Sequence, residues 1–137
     1  MAYTFDVARH EASPPLQAEG IVLVADYDRA GFATLRGSFQ VPLEPFGKPG
    51  HPLQRHIVLV AKLHDEHRPL AMKPFARHVL LDGDDQRRGG TASGWFNVSM
   101  HELLGEREQL GDWLCMATLG PFSSGLIRVR VSALSRA

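Results

Sequence analysis

The sequence predicts an all-β fold: a single antiparallel β-sandwich of immunoglobulin-like type over residues 1–137, with seven to nine strands and one short helical turn. Three observations predict it. Apolar segments of strand length recur along the chain with Gly, Pro, Asn, Asp and Ser turn residues between them. Several of these segments alternate apolar and polar residues, the period of a sheet with one wet face. No internal repeat or low-complexity tract interrupts the series.

Taken in order, "YTFDVA" alternates, with Tyr3, Phe5 and Val7 on one face. "GIVLVADY" is a continuous β-branched run, which suits a strand covered on both sides or at a sandwich centre. "GFATLRGSFQV" places Phe32, Leu35 and Phe39 inward if Gly37 marks a bulge that resets the register. "LEPFGKPGHPL" gathers three prolines and two glycines, and because proline fixes φ and lacks an N–H donor, it reads as a surface connection between two groups of strands. "HIVLVAKL" reads as a central strand and "AMKPFARHVLL" as its return, with Pro74 confining part of that return to an edge or a bulge. "DGDDQRRGGTAS" reads as a long exposed loop. In "GWFNVSMHELLG" the first residues are strand, then Ser99 with Glu102 three positions on forms a capping box and Gly105 stops a single helical turn. "DWLCMATLG" and "LIRVRV" close the chain as strands, the second alternating Ile127, Val129 and Val131 with Arg128 and Arg130.

Composition narrows the function classes. Fifteen basic residues balance fifteen acidic ones, so no sustained field of one sign draws in nucleic acid or an anionic membrane. Neither is expected as a partner. No apolar run reaches the roughly 18 residues of a bilayer-crossing helix, the amino terminus lacks the basic and apolar regions of a signal peptide, and the expected location is the cytoplasm. The single cysteine, Cys115, lies in an apolar run and is expected to behave as a small buried hydrophobe. "NVS" at Asn97 to Ser99 is formally a glycosylation acceptor. Trp95, Phe96 and Trp113 are read as core anchors.

The stretch "HIVLVAKLHDEHRPLAM" raises the question of a metal site. A hairpin turn accounts for "HDEHRP" by itself, since short polar residues and proline satisfy a turn's backbone. The candidate metal set is His56, His64, His67 and His78, with copper or zinc as the ion; otherwise no cofactor is expected. A turn centred near Glu66 and His67 places His56 opposite Arg77 or His78. The "HxxH" spacing lacks the helix of the zinc-protease motif. The serines of "GPFSSG" and "RGSFQV" lack the strand–elbow–helix context of a nucleophile, and "DGDD" lacks the closing Glu of a calcium loop.

Two sets of segments together resemble a known family. "YTFDV" with "GFATLRGSFQVP", and "FNVSMHELLG" with "DWLCMATLG" and "LIRVRV", are similar to the carboxy-terminal β-sandwich of polyphenol oxidases and tyrosinase-like proteins. The resemblance implies a non-catalytic domain packed over a type-3 copper centre made elsewhere; the copper-binding helices of that family have no counterpart here.

The expected function is therefore binding of another protein by a non-enzymatic sandwich. A metal-associated accessory for a copper oxidase is the second reading and a small hydrolase the third. The expected docking loop is Pro42 to Leu53, with Phe46, Lys48 and His51 as its contact residues, because a proline-restricted loop loses less entropy on binding. The competing role for Phe46 is to turn inward and plug the end of the sandwich. An edge strand near Pro69 to Pro74 offers a homo-oligomer contact or pairing with a different chain.

Overall fold

The computed structural model describes residues 19–47, 49–76 and 85–132. They form an antiparallel β-sandwich of two sheets. In one sheet β1 (Gly20–Tyr27), β2 (Ala33–Pro42), β6 (Thr91–Ser99) and β5 (Asp85–Arg88) lie in the order β1-β2-β6-β5. In the other, β3 (Ile57–Leu63) lies between β4 (Leu70–Met72) and β7 (Gly111–Leu119), and β7 carries β8 (Phe122–Ser123) and β9 (Ile127–Val131) along its far edge. Two strands paired through the second and the later one, with the third crossing to the facing sheet, is the strand order of the immunoglobulin sandwich. The expected "YTFDVA" strand lies outside the described residues.

Period-two burial builds the core. Ile21 and Leu23 of β1, Leu35, Phe39 and Val41 of β2, Ile57, Leu59 and Ala61 of β3, and Cys115, Ala117 and Leu119 of β7 are all buried in one cluster. Along β9, Val129 and Val131 are buried while Arg128 and Arg130 are exposed. Trp95 and Trp113 are both buried, one in each sheet.

Three expectations need correction. The β-branched run of β1 is not covered on both sides: its burial alternates and Val24 is 39% exposed. Among the described residues β1 pairs only with β2, so it is an edge strand. Gly37 marks no bulge, since β2 keeps an unbroken register with β1 and with β6, where Gly37 faces Phe96. Phe32 falls outside the strand and meets His101 edge-on. Finally, Asp82 to Ser93 is not one long loop. Asp85–Arg88 is a strand paired with the start of β6, and Gly89 and Gly90, both at positive φ (59° and 81°), form a two-residue connection. That turn needs left-handed backbone at both positions, which glycine adopts without a steric cost.

The helical turn forms as the capping box anticipates. Ser99 Oγ accepts the amide of Glu102 at the start of α1 (Met100–Leu104), and Gly105 at φ 56° ends it. A 3-10 turn, Gly105–Arg107, follows before β7.

Candidate functional site

The hairpin of β3 and β4 pairs Leu59 with Met72 and Ala61 with Leu70, which centres its turn between Asp65 and Glu66. This is one residue earlier than the expected centre. Arg77 and His78 lie outside the described residues, as does Lys48. His64 and His67 are exposed in the turn, and His64 Nδ1 lies 3.2 Å from the Asp65 carboxylate. His56 immediately precedes β3 and His64 immediately follows it, so the two stand about 26 Å apart at the strand rise of about 3.3 Å per residue. The histidines of this strand therefore do not meet at one centre. Among the described residues, no three His, Cys, Asp or Glu side chains converge on a common point.

Beside this turn lies a cleft of about 240 Å³. Leu63 and Leu70, the last residue of β3 and the first of β4, give it an apolar wall together with Trp113. Trp113 is paired with Leu63 across the sheet, and its indole N–H donates to the Gln109 carbonyl at 3.0 Å, tying the segment after α1 down beside the hairpin. The backbone of the turn is fixed too: the His64 amide donates to Asp112 and the Glu66 amide to Leu63. Arg68 enters from the turn and Arg107 from the segment after α1. Neither guanidinium pairs with a carboxylate among the described residues, Glu66 in the same cleft included. Three arginines do pair, Arg36 with Asp26 at 2.9 Å, Arg87 with Asp85 and Arg130 with Asp112, while Arg29, Arg88 and Arg128 make no such pair among the described residues; Arg68 and Arg107 differ from these in lining one cleft together. Such a volume suits one or two side chains and is below the roughly 300 Å³ at which pockets for whole small molecules begin.

At the other end of β3 lies the Pro42–Leu53 connection. It contains a 3-10 turn, Glu44–Phe46, and is strapped to β5. Arg87 donates to the carbonyls of Pro49 and His51, and the Asp85 carboxylate accepts the Leu53 amide at 2.9 Å while pairing with Arg87. Phe46 is half-buried. Its ring packs on Gly120, where an added Cβ would lie 2.7 Å from Phe46 Cζ, and stands 5.5 Å from the ring of His56. A partner using Phe46 would have to draw it off this seat. His51 and His56 face each other with ring centroids 4.9 Å apart.

Other sequence features resolve to structure. Ser124 of "GPFSSG" accepts the Ala117 amide and donates to Gly125, so its hydroxyl is committed. Asn97 lies in β6 opposite Arg36 of β2, with its amide nitrogen buried, which is not the exposed loop that a glycan acceptor requires. Burial pushes the Cys115 thiol up to about 12. No described helix is long and apolar enough to cross a membrane. Comparison with protein-family models, with curated proteins and with solved structures finds no match.

Proposed function

We propose that the chain is a non-catalytic binding module that holds another protein through an acidic residue of the partner, received by Arg68 and Arg107. The observation that carries this reading is the pair of guanidinium groups, without carboxylate partners among the described residues, that share one cleft beside an apolar wall of Leu63, Leu70 and Trp113. Arginine presents a planar fork of donors that matches a carboxylate in two parallel hydrogen bonds. The adjoining wall suits an apolar neighbour of that acidic residue, and a pairing of this kind gives both register and a desolvated contact. Nothing in the chain's linear order joins Arg107 to Arg68, 39 positions earlier, so only the fold reveals the pair.

Trp113 supplies the readout. Titrating the protein with a short peptide containing adjacent Glu and Leu residues should change Trp113 fluorescence saturably, with affinity falling as salt rises. The Arg68→Glu, Arg107→Glu double variant should lose this response, whereas Arg128→Glu on the exposed face of β9 should keep it. Equal binding by the double variant, or no binding of any acidic peptide by the native chain, would sink the proposal.

A further inference from the structure

The second site lies at the far end of β3 from the arginine cleft and does not depend on it. It begins with a turn. After Pro52 the chain makes a 3-10 turn over Leu53–His56, with Leu53 and Gln54 buried, and this tight reversal carries the side chain of residue 56 back to that of residue 51. The two imidazoles meet with centroids 4.9 Å apart and planes inclined by 34°. The backbone that presents His51 is held, because its carbonyl accepts a hydrogen bond from Arg87 at 2.8 Å.

The nitrogen atoms are the informative part. His51 Nδ1 lies 3.2 Å from the Pro52 carbonyl, and a carbonyl only accepts, so this contact assigns the proton to Nδ1 and leaves the Nε2 lone pair of His51 free. His56 Nε2 is shut off from solvent and has no hydrogen-bond partner among the described residues. Buried polar atoms are ordinarily satisfied, and an unsatisfied one calls for a ligand or a reason. Metals bind imidazole in its uncharged form, so protons compete with the ion for these nitrogens.

We propose that His51 and His56 are two ligands of a late first-row divalent ion, Cu2+ ahead of Ni2+ or Zn2+, with water filling the remaining positions. An ion held at about 2.0–2.1 Å from each nitrogen needs the two nitrogens roughly 2.8–4.2 Å apart, from cis to trans placement, a span that ring centroids 4.9 Å apart allow. Imidazole selects this group of ions over Mg2+ or Ca2+, which take oxygen ligands, and the order among them is that of general stability for nitrogen donors. Asp85 contributes no third ligand, since its carboxylate is already engaged by Leu53 and Arg87. The Lys73 ammonium opposes a second cation, which limits the affinity to that of two neutral donors.

The test is calorimetric titration of the untagged full chain with CuCl2, NiCl2 and ZnCl2, with nitrogen hyperfine splitting in the Cu2+ electron-spin spectrum. One ion per chain is expected, with two coordinated nitrogens and binding that weakens as pH falls from 7.5 to 5.5. His51→Asn should weaken binding by about tenfold or more, which corresponds to about 1.4 kcal/mol. The His64→Asn, His67→Asn double variant should bind as the native chain does. His56→Asn should also lose the ion; if that variant fails to fold by circular dichroism, His51→Asn alone decides. Absence of a saturable one-to-one heat, or unchanged binding by His51→Asn, would overturn the site.

Discussion

Gly37 has no room for a side chain. A Cβ there would lie 2.8 Å from Phe96 Cε2 and closer still to Cζ and Cε1. Phe96 cannot yield, because it is fully buried and packs edge-on against Phe75 at 5.8 Å. Overpacking of this kind costs about 1–3 kcal/mol, so Gly37→Ala should lower the melting temperature by several degrees. Shrinking the ring tests the cause: in the Gly37→Ala background, Phe96→Leu should cost less than it does alone. Additive costs would show that the alanine is harmful for another reason. The sequence offered the glycine but not its meaning, since the residue opposite Gly37 is 59 positions away and only the pairing of β2 with β6 reveals it.

Among elements, β5 and its attachments show most clearly what the sequence disclosed and what it hid. Strands β3, β7 and β9, the Trp95–Val98 part of β6 and the Ser99 cap were legible because each leaves a local mark: a run or alternation of apolar residues, or a hydroxyl three residues before a glutamate. Strand β5 leaves none. Gln86, Arg87 and Arg88 are exposed at a sheet edge, so no apolar alternation is required of them, and the one available sign was the consecutive pair Gly89 and Gly90. The meeting of His51 with His56 was hidden for a related reason. Strand pairing points across the hairpin for a neighbour of His56, whereas a 3-10 turn supplies one from five residues upstream. Asp85 makes the attachment of β5 testable. Asp85→Ala removes the acceptor of the Leu53 amide and the partner of Arg87, a loss of about 1–3 kcal/mol for groups left unpaired. Hydrogen exchange at Leu53 should accelerate far more than exchange within β3. Unaltered protection of that amide would mean that something other than Asp85 holds the connection.

At the scale of the whole molecule the two sheets share one core, and a tryptophan reports on each. Trp95 belongs to β6 and Trp113 to β7. A small domain with a single core unfolds as one unit, so Trp95→Phe and Trp113→Phe should give fluorescence transitions that coincide, each with the far-ultraviolet transition of the same variant. Separated midpoints would show the sheets melting independently. The sheets are also joined at their margin: the Tyr27 hydroxyl at the end of β1 accepts the amide of Arg130 in β9, and Ser132 donates to Gly31. Those partners are separated by 103 and 101 positions. During synthesis, at roughly 5–20 residues per second, Tyr27 therefore waits roughly 5–20 seconds for Arg130 to be polymerised, and longer for it to leave the ribosome. Through that interval the Tyr27 end of β1 has no β9 to close against. The nascent chain is thus most open to mispairing with neighbouring chains just before β9 arrives, and its yield in cells should respond more to translation speed over the codons of β9 than to the stability of the finished fold.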